Sequence, residues 1–214
     1  MISIFDIQSA KAYLRQADEF FTGLYVESFP IDNEREPVET IMQRIVNEGP
    51  VKSHIWLVTE NDRVVAGAVA DLYREAETSN LIYLAVSKDH RKKGLAKELI
   101  NQITLCHPWV KDIVVEVDVP EKENGRLSAI DPATRIRIYE RLGFIRVPIR
   151  YVQPPLAPGM DYEHGLALMV RTTDVNGIRE RMKKYLSDFY ESEGLPDDAE
   201  LKRMKKEMKK WQTN

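Results

Sequence analysis

Residues 81–106, LIYLAVSKDHRKKGLAKELINQITLC, constrain this chain more than any other stretch. An almost wholly apolar run of strand length, LIYLAV, gives way within a few residues to a helical pattern. In that pattern Leu95, Leu99, Ile103 and Cys106 form one stripe, and Pro108 follows its end. A strand that is apolar on both faces is covered on both faces, so helices must flank a sheet. Between strand and helix stand Arg91, Lys92, Lys93 and Gly94. The first turn of a helix has backbone N–H groups without intrahelical partners, and they carry partial positive charge. Anions, phosphate above all, are held there. A glycine turns the chain tightly and lets a ligand reach the backbone. The junction has the parts of a pyrophosphate cradle. It has equally the parts of a solvated turn beside a helix start.

The rest of the chain supplies matching elements. SAKAYLRQADEFFTGLYVESF spaces Leu14, Ala17, Phe21, Leu24 and Ser28 as a helix, ended by Pro30. REPVETIMQRIVNEGP reads as a second helix with Pro37 in its first turn, Ile41, Met42 and Ile45 on one face, and Gly49-Pro50 as its stop. HIWLVTENDRVVAGAVADLY predicts a hairpin turning at END. DIVVEVDVP puts Ile113, Val115, Val117 and Val119 on one face of a strand, and Val114, Glu116 and Asp118 on the other. DPATRIRIYERLGF predicts a helix with Asp131 as N-cap, Pro132 at its first position and Gly143 at its end. FIRVPIRYVQP and HGLALMVRT read as closing strands around the loop PPLAPGMDYE. Beyond Asp174 come two charged, helical segments broken by GLP.

Composition narrows the function classes. A net charge of −3 argues against a general nucleic-acid binder. The basic runs RERMKK and LKRMKKEMKK are interspersed with acids, the pattern of a solvated helix face rather than a nucleic-acid or membrane contact. One cysteine, Cys106, cannot form an internal disulfide and sits in a core stripe. No apolar run is long enough to span a bilayer, and the first residues lack a secretory pattern, so the expected location is cytoplasmic. His54, His90, His107 and His164 are scattered, with no metal-ligand spacing.

VSKDHRKKGLAKELI resembles the acyl-coenzyme A signature of the GNAT superfamily of N-acetyltransferases, Arg/Gln-x-x-Gly-x-Gly/Ala. Arg91, Gly94 and Ala96 fall on its three defining positions, and IYERLGF resembles the family's Tyr-x-x-x-Gly-Phe segment through Tyr139, Gly143 and Phe144. The resemblance covers residues 1–173. It implies an α/β (α+β) fold, a mixed and mostly antiparallel central sheet flanked by helices, with residues 174–214 as a charged helical C-terminal extension. It implies acetyl-coenzyme A as cosubstrate and no metal. Backbone amides from Arg91 through Gly94, Leu95 and Ala96 would hold the pyrophosphate, and Lys92 and Lys93 would add charge. The pantetheine arm would pair with the strand at Leu84, Ala85 and Val86, as an added strand does. The Val86 N–H or a neighbour would meet the developing oxyanion.

The resemblance also assigns proton carriers. Tyr139 stands where the family often has the acid that serves the leaving thiolate; the alternative is plain packing. Asn80 matches an acidic position of some relatives and cannot take a proton. Glu116 is then the leading base, because burial near mid-strand would raise its pKa; the alternative is an exposed or structurally paired carboxylate. Glu77 and the His164 loop are weaker candidates. The acceptor side would include ESFPIDNERE, whose Asp32, Glu34 and Glu36 either attract an amine or serve as caps and surface charge. It would also include Tyr151, Pro154 and Pro155, which either shape a wall or end a strand. The expected partner is a small-molecule or peptide amine. The C-terminal helices, with Met204, Met208 and Trp211 on one edge, would pack on the sheet or on a second subunit in a homodimer. The competing function is a non-catalytic acyl-coenzyme A-binding module whose C-terminal helices bind a protein.

Overall fold

The computed structural model describes residues 2–7, 14–30, 35–46, 51–120, 130–156 and 159–211. Asp32, Glu34 and the Gly49-Pro50 stop lie outside the described residues. The chain forms two compact units.

The first unit takes Met1–Leu72 and Asn80–Pro108. Strand β1 (Ile2–Ile7) pairs antiparallel with β2 (Lys52–Glu60), Ile4 opposite Val58. β2 pairs antiparallel with β3 (Arg63–Tyr73), and β3 neighbours β4 (Thr78–Val86). The hairpin turns at Asn61 and Asp62, both left-handed at φ 51° and 61°. That mirror-image turn matches the right-handed twist of the strands, and Asn and Asp tolerate it better than bulkier residues. The END turn was legible. β1 was not anticipated: its partner is more than fifty residues away and leaves no local mark.

The first predicted helix is three pieces: α1 (Leu14–Glu19), a wider π-helical turn (Phe20–Tyr25) and α2 (Val26–Ser28). The wide turn lets Phe20, Phe21, Leu24 and Tyr25 all be buried. With α3 (Val38–Val46) they cover Ile55, Leu57, Val69, Tyr83 and Ala85. Gly67 on β3 is required by this packing. A Cβ there would lie 2.5 Å from a Phe20 ring carbon, so the ring rests directly on strand backbone. After β4 a short 3₁₀ turn (Lys88–His90) leads into α4 (Leu95–Cys106). Leu95, Leu99 and Ile103 of the predicted stripe are buried, joined by Ile100, while Cys106 is partly exposed.

The second unit takes Tyr73–Ser79, Trp109–Arg126 and Ile130–Asn214. β5 (Asp112–Asp118) pairs antiparallel with β7 (Leu166–Thr172), Glu116 opposite Leu168. β6 (Ile145–Arg146) adds to the other side of β7. The first closing strand is thus two residues long. Pro148 has no N–H to continue the ladder, and the chain bends there. Residues 147–156 run on as a loop tied by one bridge, Gln153 to Glu163. α5 (Pro132–Arg141) starts as predicted: the Asp131 carboxylate accepts from the Thr134 N–H at 3.0 Å, and Pro132 occupies the first turn. Gly143 ends it at φ +90°.

The C-terminal segments are α6 (Ile178–Ser192) and α7 (Ala199–Met208). They bury Met182, Tyr185, Leu186, Phe189, Tyr190, Leu201, Met204 and Met208, too broad an apolar surface for a merely solvated pair. Arg181 closes a two-pronged ion pair on Asp112, at 2.6 and 3.1 Å, and Asp112 is fully buried. Among the described residues no helix is long and apolar enough to cross a membrane.

Candidate active site

In the first unit the β4–α4 junction is built almost entirely by backbone. Lys92 and Gly94 are both left-handed, at φ 64° and 86°. Alternation of hands along a short loop turns successive N–H groups to one side and makes an anion-binding concavity. Gly94 is the N-cap of α4, whose first N–H groups have no helical partner. Around Gly94 the space is open: an added Cβ would meet nothing within 4 Å. Arg91, Lys92, Lys93 and Gly94 are exposed, Ala96 is half-buried, and Leu95 anchors the helix in the core. The Arg91 Nε donates to the Val86 carbonyl at 3.2 Å, so part of that side chain closes the end of β4. On β4 itself Ala85 turns into the core, while Leu84 and Val86 stay partly exposed.

A residue not singled out from sequence pins this loop. His90 meets Glu60 at 2.9 Å through Nε2 and Ser87 at 2.8 Å through Nδ1. A carboxylate can only accept, so Nε2 carries the hydrogen and Nδ1 accepts from the Ser87 hydroxyl. The bond from His90 holds the Glu60 carboxyl below its usual range. The 3₁₀ turn is thereby fastened to the β2–β3 hairpin. No local pattern marks His90 for this, because Glu60 is thirty residues away.

Of the acids expected on the acceptor side, Glu36 is described, and it is engaged. Arg44 grips both oxygens of Glu36 at 2.6 Å and reaches Ser53 and Asp71 at 2.8 and 3.3 Å. Ser53 also donates to Asp71. Burial pushes the Asp71 carboxyl up, against the pull of Arg44 and Ser53. Glu36 is therefore paired with Arg44, where the sequence suggested an amine-attracting acid or a cap and surface charge. Beside it the Tyr83 hydroxyl accepts from the Glu36 N–H at 2.8 Å, and Tyr25, Phe29 and Tyr83 pack edge to face or tilted, with ring centroids 4.8–5.6 Å apart. Asn80 is buried, and its Oδ1 has no hydrogen-bond partner. The histidines are not all scattered: His107 Nε2 and His54 Nδ1 are 3.1 Å apart. Among the described residues no three His, Cys, Asp or Glu side chains are grouped to hold a metal ion.

The second unit separates Glu116 from Asp118 on their shared face of β5. Asp118 pairs with Arg135 of α5 at 3.1 Å. Glu116 has neutral partners: the Tyr151 hydroxyl donates to one oxygen, and the Gln153 amide donates to the other at 2.8 Å. Burial pushes the Glu116 carboxyl up, and the two donors pull it partly back. Burial beside Glu116 also raises the Tyr151 phenol well above its usual range, so it stays a donor. Sequence placed Tyr151 in a wall or at a strand end; its hydroxyl also bonds the Glu116 carboxylate. Gln153 was missed altogether. Their separations from Glu116, 35 and 37 residues, leave no sequence signal.

Tyr139 lies on α5, half-buried, its ring edge-on to Phe144 with centroids 5.3 Å apart. Burial pushes its phenol up to about 12, and the Arg135 charge opposes that. Tyr139 therefore carries its proton at neutral pH.

A backbone concavity with flanking cations suits an anion such as a pyrophosphate. Residues 51–146 match the family described as Acetyltransferase (GNAT) domain. No curated protein matches it in sequence. Among solved structures, a GNAT-family protein from Bacteroides thetaiotaomicron aligns at 24% identity with a TM-score of 0.60, over 87% of this chain and 98% of that one. A GNAT family acetyltransferase from Elizabethkingia anophelis with acetyl-CoA bound aligns at 14% identity and TM-score 0.51, over 80% and 97%. The ribosomal-protein-S18-alanine N-acetyltransferase from Escherichia coli aligns at 17% identity and TM-score 0.50, over 80% and 94%. The mixed, mostly antiparallel sheet with flanking helices expected from the sequence is the fold they share.

Proposed function

We propose that the chain is an N-acetyltransferase that moves an acetyl group from acetyl-coenzyme A to a primary amine by direct attack in a ternary complex. Acetyl-coenzyme A supplies the activated acyl thioester. The backbone amides from Arg91 to Ala96 hold its pyrophosphate, with Lys92 and Lys93 adding charge. Strand β4 at Leu84–Val86 pairs with its arm through backbone.

Glu116 is the base. One observation carries this assignment: of the three acids on that face of β5, Asp112 pairs with Arg181 and Asp118 with Arg135, while Glu116 is held by neutral donors. A carboxylate beside a guanidinium, as Asp118 is, has its charge already matched. A buried carboxylate with neutral partners has its pKa raised toward the working range of a general base. It takes a proton from the attacking ammonium or amine. Tyr139 is the acid on the thiolate side. A phenol near 12 is a weaker acid than a thiol at roughly 8.5, so it acts first as a hydrogen-bond donor to the sulfur as charge builds there.

The test is acetyl transfer to a panel comprising a polyamine, an amino acid, an aminoglycoside and peptides with a free N-terminus or lysine. Transfer to at least one amine that disappears in Glu116→Gln supports the reading. Tight acetyl-coenzyme A binding with no transfer to any amine would replace it with the non-catalytic binding module.

A further inference from the structure

The loop that holds Glu116 is itself held at Arg150 and Val152 by the C-terminal helices. Tyr151 and Gln153 contact the two carboxylate oxygens. Between them lies Val152, whose carbonyl accepts from the Tyr190 hydroxyl of α6 at 2.8 Å. Before them lies Arg150, clamped at both backbone groups by α7. Its carbonyl accepts from Arg203 at 2.6 Å, and its N–H donates to Glu207 at 2.8 Å. Arg203 and Glu207 are paired with each other at 2.6 Å. The far side of the loop is fixed by Tyr162, which donates to Asp198 at 2.5 Å. Asp198 also caps α7, accepting from Glu200 and Leu201 N–H groups at 2.7 and 3.1 Å.

We propose that α6 and α7 are a positioning brace for the catalytic carboxylate, with Tyr190, Arg203 and Glu207 acting on Glu116 through residues 150–153. Three facts point the same way. The loop has almost no sheet pairing of its own, only the Gln153–Glu163 bridge, so its shape comes from elsewhere. The contacts to α6 and α7 are made to its backbone, which sets the path of the chain whatever its side chains are. They fall on the residues adjoining Tyr151 and Gln153. A carboxylate whose two donors sit on an unbraced loop would exchange them for water, and its raised pKa would be lost. The extension thus serves the chemistry from within its own unit. The inference rests on Glu116 as the base, and the experiment separates the two.

Tyr190→Phe removes one hydroxyl and keeps the ring, and Arg203→Gln releases the Arg150 carbonyl while leaving the helix faces packed. In the full chain labelled with carbon-13 at glutamate side-chain carboxyls, the Glu116 signal is identified by its absence in Glu116→Gln. In both braced-loop variants the Glu116 titration is expected to move down toward the ordinary carboxylate range. The acidic limb of the kcat/KM profile moves with it, and kcat falls about tenfold, a typical loss for a slightly misplaced group. Acetyl-coenzyme A affinity by calorimetry stays unchanged. A lowered melting temperature with an unmoved titration and an unmoved limb would mean the helices merely stabilise the fold, and would overturn the proposal. If Glu116→Gln keeps full activity, the base assignment fails on its own. The titration then still decides the brace: a shift in Tyr190→Phe upholds it, and no shift removes it.

Discussion

The coenzyme cradle and the Glu116 seat solve opposite problems. At the cradle almost nothing is side chain: two left-handed residues and a helix start aim N–H groups outward, and the nearby cations are exposed. At Glu116 almost everything is side chain: one carboxylate, a phenol and an amide, drawn from distant points of the chain and shielded from water. An exposed diphosphate is recognised well by a preset arrangement of partial charges, which any residue with the right φ can contribute. A proton-transfer group must have one pKa in one place, and that takes particular atoms. The cradle should therefore tolerate changes of side chain and resist changes of backbone, while the seat should behave the other way.

Four measurements can break that contrast. Glu116→Gln should lower kcat about a thousandfold, within the range for general base catalysis, and leave acetyl-coenzyme A affinity intact. Because the Glu116 carboxyl is raised, wild-type kcat/KM should climb as pH rises through that pKa, where the base loses its proton. The Gln variant should lack this limb, and a surviving limb would move the base elsewhere. Gly94→Val should weaken acetyl-coenzyme A binding about a hundredfold. The cost is backbone strain at φ +86°, of the order of 1–3 kcal/mol, plus bulk in the approach path, since no neighbour clashes. Normal calorimetric binding would remove the cradle from Gly94. Tyr139→Phe should cut kcat about thirtyfold with little change in acetyl-coenzyme A affinity, less than full acid catalysis contributes, because the phenol acts first as a hydrogen-bond donor. Unchanged turnover would leave Tyr139 as packing against Phe144. Replacing both Lys92 and Lys93 with Ala should raise the acetyl-coenzyme A dissociation constant only about threefold at physiological salt, the scale of exposed charge pairs. A loss approaching that of Gly94→Val would show that side chains, not amides, do the holding.

The same contrast explains what the sequence could and could not reveal. Arg91, Gly94 and Ala96 were legible because a strand-to-helix turn is local and its needs are backbone needs. Asp131, Pro132 and Gly143 were legible for the same reason, and so was the END hairpin. Glu116 could be marked as a candidate from its position on β5, but not separated from Asp118 by its surroundings. The difference between them is Arg135 on one side and Tyr151 with Gln153 on the other, partners brought in only by the folded chain. Strand β1 and the Glu36–Arg44–Asp71 network were hidden likewise. The first closing strand, FIRVPIRYVQP, was overread because its apolar residues suggest a ladder that Pro148 interrupts.

The Asp112–Arg181 pair joins the first residue of β5 to a helix 69 positions later. Removing Arg181 would leave a wholly buried carboxylate without its cation, a loss on the order of 3–5 kcal/mol. The ribosome imposes that situation on every copy for a time. While synthesis proceeds, β5 emerges long before the residue that neutralises its first side chain, so the second unit cannot settle until α6 has been made. Released chains ending at residue 174 should be cut by protease within β5, and chains extended through α6 should be cut more slowly. The order in which the polypeptide appears thus delays the assembly around Glu116 until α6 has been made.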